Sequence, residues 1–315
     1  MKILFTGASS FSGFWFVREL AAAGHEVTAV LRRQLQEYTD GPRRRRVALV
    51  SDLCRPFHGS GFGDLHFRGL IAEGGWDILC HHAAEVTNYK SPDFDVLAAV
   101  QNNTHNLRRV LQALKSAGCS RLLLTGSVFE EGEGAGSQGL PNFSPYGLSK
   151  SLTASVFRYY CEQAEMRLGK FVIPNPFGPF EEPRFTAYLM KTWLASGNAA
   201  CSSPAYVRDN IHVSLLAKAY VRFVEALSPE PGFSRHNPSG YVESQGAFTL
   251  RLAREMRPRL NLPCPVELKT QTDFPEPRVR INTDVLDPIN LGWDESAAWD
   301  DYAAYYLGAR ANPTG

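Results

Sequence analysis

Tyr146 and Lys150 stand four residues apart in the stretch Ser-Pro-Tyr-Gly-Leu-Ser-Lys. On a helix that spacing puts both side chains on one face. A phenol ordinarily ionises near pH ~10, too high to trade protons readily at neutral pH. A neighbouring ammonium stabilises the phenolate and lowers that value, which makes the phenol a usable proton donor. The pair follows the run 122–130, Leu-Leu-Leu-Thr-Gly-Ser-Val-Phe-Glu, whose apolar part ends in the hydroxyls of Thr125 and Ser127. A Tyr-x-x-x-Lys pair also arises by chance on exposed helices, so the surrounding elements decide its meaning.

Those elements alternate. Lys2–Phe5, Val27–Leu31, Val47–Val50, Ile78–Cys80, Leu122–Leu124 and Phe171–Ile173 are short, apolar and bounded by breakers, the pattern of buried strands. Between them lie helix patterns: Phe14–Ala23 before Gly24, Val96–Ala117 before Gly118, and Tyr146–Leu168 before Gly169. The alternation predicts an α/β fold with a doubly wound parallel sheet, Rossmann-like, over residues 1–174. Prolines cluster from Pro174 onward and break the rhythm. Residues 175–315 are expected to form mainly a smaller lobe of loops and helices for substrate, with some segments returning to the first domain. Arg43–Arg46 reads as a solvated loop.

The first strand runs into Phe-Thr-Gly-Ala-Ser-Ser-Phe-Ser-Gly. Gly7, Ser10 and Gly13 are three residues apart. Gly7 can take the positive φ of a tight turn. Gly13 lets the following helix sit close to the sheet, with its N-terminus facing a pyrophosphate. Ser10 gives up some backbone freedom and adds a hydroxyl within reach of phosphate. An ordinary strand-to-helix corner remains the alternative on this motif alone. The second strand ends in Arg32-Arg33, where NAD-binding folds commonly carry a carboxylate for the ribose hydroxyls. Guanidinium suits a 2′-phosphate and a carboxylate repels it, so NADP is the expected cofactor, with one of the two arginines free to point into solvent.

Composition excludes several classes. The 315 residues are 44% hydrophobic and 21% charged, with a net charge of +1, which gives no global field for nucleic acid. No apolar run approaches the ~20 residues of a membrane helix, and the N-terminus lacks the signal-peptide pattern. Six cysteines are scattered without Cys-x-x-Cys, so neither a metal nor a disulfide framework is expected and a cytoplasmic setting is.

Taken together, the Thr-Gly-x-x-Ser-x-x-Gly turn, the Tyr146/Lys150 pair and the segment Val-Arg-Asp-Asn-Ile-His-Val (207–213) resemble the extended short-chain dehydrogenase/reductase family. The resemblance runs from Met1 to about Leu307 and is vaguest over 229–280. It implies a Thr125–Tyr146–Lys150 triad. Counting back three from Val128-Phe129, in place of the family's Val-Tyr, reaches Thr125, with Ser127 as runner-up and a second substrate contact. It implies a cofactor site at Gly7, Ser9, Ser10, Phe11, Gly13, Arg32, Arg33, Asp52-Leu53 after the third strand, His82-Ala83-Ala84 after the fourth, Tyr146, Lys150 and Pro174. Asn175 and Arg208 would meet the substrate's diphosphate or sugar, with Arg278 or Arg280 as a further contact. His212 reads as a packed histidine and Asp209 as a tie for its loop. The family's Asn in the fourth-helix region falls at Val100, and Asn102, Asn103 and Asn106 are all nearby. Relatives often form homodimers through the helix of the Tyr-Lys pair and the one before it.

The resemblance implies NADP-dependent reduction of a nucleotide-linked sugar, with a 4-keto group as the leading expectation, in a cleft between domain and lobe. The first alternative is an epimerase with the same triad, which a retained NAD would favour. Reduction of a non-nucleotide carbonyl and a non-catalytic NADP(H) sensor are further alternatives. Gly126 and Ser127 follow Thr125 where dehydratases and decarboxylases usually carry an acid, and Glu130 and Glu131 read as a solvated loop, which weighs against both.

Overall fold

The computed structural model describes residues 1–39 and 41–311, with backbone only at 310 and 311. The chain begins β1 (Lys2–Thr6), α1 (Phe11–Ala22), β2 (Glu26–Leu31), α2 (Gly41–Leu53), β3 (Arg55–His58), α3 (Leu65–Ala72) and β4 (Ile78–His81). It continues with α4 (Val96–Asn103), α5 (Leu107–Ser116), β5 (Arg121–Ser127), β6 (Ala135–Gly136), α6 (Pro145–Gln163), β7 (Arg167–Ile173), β8 (Asn175–Phe177) and α7 (Phe185–Leu194). There follow β9 (Ala199–Cys201), β10 (Val207–His212), α8 (Val213–Ala226), β11 (Gly232–His236), β12 (Pro238–Ser239), β13 (Tyr241–Ser244) and α9 (Gln245–Leu260). The last elements are β14 (Val266–Leu268), β15 (Val279–Ile281), β16 (Asp284–Val285) and α10 (Glu295–Ala311). Two compact units result: one takes 1–133, 140–173 and 217–237, the other 134–139, 174–216 and the chain from 238 on.

The first unit is the expected α/β architecture. Its seven strands pair in parallel in the order β11-β7-β5-β4-β1-β2-β3. β1 can be apolar almost throughout because Ile3, Leu4 and Phe5 are all fully buried, as a strand covered on both faces requires. On one face α3, α5 and α6 bring Phe67, Leu70, Val110, Leu114 and Phe157 onto Leu4, Leu79 and Leu122. On the other, Phe16 of α1 stacks on Tyr220 of α8 at 4.0 Å, and both rings meet Phe171 of β7 edge-on.

Four expectations about this unit need correction. Val47–Val50 is not a strand: it lies in α2, where Arg46, Val47 and Val50 share the buried face. A four-residue apolar run fits a helix turn as well as a strand. The third strand is β3, whose Pro56 argues against a central strand but is tolerated at the sheet edge that β3 occupies. Arg43–Arg46 is accordingly helical, and Arg46 is fully buried with Nε donating to Ser9 O at 3.0 Å. The helix expected over Val96–Ala117 is two helices, broken where Asn106 takes φ +53° and donates from Nδ2 to Gly63 O. Finally, α6 stops at Gln163, Glu165 turns at φ +50°, and Gly169 sits inside β7 rather than past a helix end.

The second unit holds more strand than the expected loops and helices. β13, β10, β15 and β6 form a sheet in that order, and β8 pairs with β10. Asp209 on β10 accepts from the amides of Gly240 and Asn282, so it does tie three segments together. Phe177, Trp193, Phe248, Leu252, Met256, Trp299 and Tyr302 make the core. Beside it, buried Glu181 accepts from the hydroxyls of Thr186, Tyr302 and Tyr306 at 2.6, 2.7 and 2.8 Å, anchoring α10 to the start of α7. No helix among the described residues is long and apolar enough to cross a membrane.

Candidate active site

β1 ends at Thr6, and the chain turns at Gly7 with φ +87°. A side chain at Gly7 would lie 2.7 Å from Ala83 N, and one at Gly13 2.2 Å from Gly7 O, so neither position admits one. Ser10, in the middle place, is the N-cap of α1. Its Oγ accepts from Gly13 N at 3.1 Å and donates to Gly7 O at 2.9 Å. Its hydroxyl therefore closes the turn rather than standing free for a phosphate. Of the first-turn amides, those of Phe11 and Ser12 have no acceptor among the described residues and are aligned with the positive end of the helix. A closely apposed turn with two spare amides at a helix N-terminus fits the pyrophosphate of a dinucleotide. Ser9 contributes its carbonyl to buried Arg46 instead.

Arg32 and Arg33 are both exposed after β2. The Arg33 amide donates to Tyr38 Oη at 3.3 Å. Arg32 lies 4.0 Å from Glu85, a carboxylate that no reading of the second strand could have found because it comes from the loop after β4. Burial pushes the Glu85 carboxyl up, but hydrogen bonds from Thr87 and the Arg32 charge hold it below its ordinary value. Asp52 and Leu53 are misplaced in the sequence reading. They end α2 and precede β3, and both are exposed. The residues that follow β3 are Gly59–Gly63, and the nearby Asp64 caps α3 through Phe67 N.

After β4, Ala83 N donates to Thr6 Oγ1 at 3.2 Å, which fixes the Ala83-Ala84 backbone against β1. His81 bonds Thr6 Oγ1 and Asn103 O and is fully buried. Asn103 is the buried one of the three candidates: Oδ1 accepts from Glu85 N at 2.8 Å and Nδ2 donates to Thr153 Oγ1 at 3.3 Å. His82 Nδ1 lies 3.0 Å from Thr125 Oγ1, and Nε2 lies 3.0 Å from Ser10 Oγ and 3.1 Å from Ser12 Oγ.

Thr125 and Ser127 end β5, beside β7. Ser144 caps α6 through Gly147 N, and Pro145 at the first position needs no donor. That start places Tyr146 in the first turn, its ring edge-on to Tyr89 at 5.3 Å and Phe94 at 6.2 Å. One turn later Lys150 is buried, and its Nζ donates to Thr125 O at 2.6 Å. Burial pushes the ammonium below its ordinary pKa; Glu130 acts the other way and Lys170 adds to the fall. Glu130 is not solvated as expected. It is fully buried, its Oε1 accepts from Ser127 N at 2.7 Å, and it pairs with Lys170. Lys170 also meets Glu133 at 2.7 Å, and Asn237 and Arg235 reach Glu133 from β11 and beyond it. From Leu168 to the end of β7 Lys170 is the one polar residue, so the chain offered a clue that a buried partner must exist. Glu131 is exposed.

In the second unit Pro174 stands between β7 and β8, and Asn175 Nδ2 donates to Asp209 O at 3.2 Å. Arg208 is buried and engaged. Its guanidinium donates to Val207 O, Pro277 O, Arg278 O and Glu276 Oε2 at 3.0, 2.9, 3.3 and 3.0 Å, and lies over the Tyr206 ring. Arg278 is exposed and covers the Phe274 ring, whereas Arg280 is fully buried. His212 is a packed histidine: Nδ1 meets Ser214 Oγ at 2.7 Å, and burial holds it down at about 3.

Comparison with known proteins agrees with this geometry. A model of the NAD dependent epimerase/dehydratase family matches residues 3–234. A UDP-glucose 4-epimerase of Mycolicibacterium smegmatis is 24% identical over 255 residues, covering 78% of this chain and 79% of that protein. The crystal structure of Bifidobacterium longum UDP-glucose 4-epimerase with NAD+ and UDP superimposes with a TM-score of 0.70 at 20% identity over 100% of both chains. That of DesIV, a dTDP-glucose 4,6-dehydratase of Streptomyces venezuelae with NAD and TYD bound, gives 0.70 at 19% identity over 99% of both. A parallel sheet in this strand order, a dinucleotide turn after its first strand and a family match over most of the chain have one reading: this chain belongs to the NAD dependent epimerase/dehydratase family.

Proposed function

We propose that this enzyme carries out hydride-transfer chemistry at C4 of a nucleotide-linked sugar, with reduction of a 4-keto sugar by NADPH as the net reaction. The observation that carries the proposal is the meeting of Lys150 with the Thr125 carbonyl at the end of β5, one helical turn from Tyr146. A bound nicotinamide dinucleotide supplies the hydride to the carbonyl carbon. Tyr146 gives its proton to the carbonyl oxygen as that oxygen gains charge, and Thr125 orients the same oxygen. The Lys150 ammonium stabilises the phenolate left behind, which solvent reprotonates. Lys150 is also the group to hold the nicotinamide ribose. Ser127 would contact the sugar. With Arg208 committed to four protein acceptors, exposed Arg278 is the freer arginine for a diphosphate, Asn175 assisting. Thr125 is followed by Gly126 and Ser127, and Glu130 is buried against Lys170, so no carboxylate there is free for water loss or for handling a sugar acid.

Epimerisation at the same carbon is the second reading, and Glu85 favours it. A carboxylate beside Arg32 suits the unphosphorylated ribose of NAD, and the Mycolicibacterium relative is an epimerase. The test is incubation with NADPH and a panel of nucleotide 4-ketosugars, following the reduced cofactor by absorbance, alongside UDP-glucose without added reductant. Net oxidation means reductase; isomerisation of the sugar without it means epimerase. In either case Tyr146→Phe should cut turnover by roughly 10²- to 10⁴-fold. Turnover retained in that variant, with the chain still folded, removes Tyr146 from its role.

A further inference from the structure

Thr125 has one hydroxyl proton, and in the reaction proposed above it must point that proton at the substrate's reacting oxygen. Its Oγ1 is already 3.0 Å from His82 Nδ1. If that nitrogen carries a lone pair, the threonine proton turns toward the ring and is lost to the substrate. The far side of the ring decides. Ser10, 3.0 Å from Nε2, cannot donate to it, because its one proton goes to Gly7 O; it could only accept from a protonated Nε2. Ser12 can donate: its Oγ is 3.1 Å from Nε2, the one acceptor recorded for that hydroxyl among the described residues.

We infer that His82 is a positioning residue: Ser12 donates to Nε2, Nδ1–H donates to Thr125 Oγ1, and the threonine proton is thereby aimed at the reacting oxygen. The inference rests on the hydride-transfer reading of the site. It requires a neutral ring, and burial holds His82 down at about 3, helped by the charge of Lys150 and by His81. It also requires a fixed ring. Phe16 meets the His82 ring edge-on at 5.2 Å, the Phe5 ring lies tilted to it at 5.9 Å, and a side chain at Gly13 would come within 2.9 Å of Cδ2. The same few atoms therefore join the dinucleotide turn to the catalytic strand.

Two variants test it. His82→Phe keeps a ring between Phe5 and Phe16 and removes both nitrogens; His82→Asn retains a donor near the place of Nδ1–H. His82→Phe should lower kcat by roughly 10- to 100-fold, the range for losing a group that orients another, with the sugar's KM little changed. His82→Asn should recover much of that. In a Thr125→Val background His82→Phe should cost nothing more, since there is no longer a hydroxyl to aim. An equal loss in that background, or a change in KM alone, reduces His82 to a structural role. Nitrogen-15 NMR of the histidine rings in the intact chain gives a readout that needs no turnover. His82 should carry its proton on Nδ1 at neutral pH, and the opposite tautomer or an imidazolium overturns the inference. If the wild-type chain turns over no nucleotide sugar, the hydride-transfer reading fails, and the NMR result still stands or falls separately.

Discussion

Replacing Glu181 by Gln should abolish a pH dependence that the second unit now carries. Glu181 is buried, and burial pushes its carboxyl from the ordinary 4.5 up to about 7 even though Thr186, Tyr302 and Tyr306 all donate to it and act the other way. At about 1.4 kcal/mol for each tenfold change in proton affinity, that difference corresponds to about 3 kcal/mol. The folded-state pKa is raised, so between 4.5 and 7 the folded chain holds more proton than the unfolded one. The stabilisation is complete below about pH 4.5 and is lost as pH rises through about 7. Going from about pH 5 to about pH 8 the wild-type chain should lose about 2.5 kcal/mol relative to Glu181→Gln, most of the total. The amide keeps an oxygen acceptor for the tyrosines and does not titrate. Urea unfolding of both chains at a series of pH values reads the difference, and subtracting one from the other removes groups common to both. A flat difference across that range, or a wild-type chain that gains on the variant as pH rises, means the three hydroxyls outweigh burial and refutes the reasoning.

Three other outcomes are expected. Lys170→Met leaves Glu130 and Glu133 buried without their shared cation, and should destabilise the first unit by about 3–5 kcal/mol in denaturant unfolding; a loss under about 1 kcal/mol would show that the carboxyls simply take up protons. Gly13→Ala drives a methyl to 2.2 Å from the Gly7 carbonyl, which is backbone and cannot swing aside, so dinucleotide titration and thermal unfolding should both show a marked loss; a variant like the wild type in both assays contradicts the close approach. Arg32→Asp with Arg33→Ala should move cofactor preference toward NADH, read as the ratio of kcat/KM for the two cofactors, and an unchanged ratio hands recognition of the 2′-phosphate to other groups.

The sequence exposed what depends on local order and hid what depends on packing. The turn at Gly7 and Gly13, the first strand and the Tyr146/Lys150 face were legible because a strand, a corner and a helix face are set by neighbours along the chain. Val47–Val50 misled because four apolar residues carry no period, and the true third strand is polar, short and contains Pro56. That slip carried Asp52 and Leu53 with it. Glu130 looked solvated since its partner Lys170 lies 40 residues on, in a different strand. Glu85 beside Arg32, and His82 between Ser12 and Thr125, are contacts that the sheet and α1 bring together between residues far apart in sequence. Arg208 matched its motif, yet the motif said nothing of the Pro277 and Glu276 acceptors that occupy it.

β11 closes the large sheet by pairing along β7, from Gly232↔Arg167 to His236↔Phe171. Residues 174–231 are made between the two. A nascent or truncated chain that has β7 but lacks β11 therefore bares an apolar ladder edge, a template on which a second molecule can add its own strand. Cuts from the C-terminal side that reach into β11 should therefore leave a species prone to strand addition between molecules, whereas cuts beyond His236 leave this sheet complete even where they dismantle the second unit.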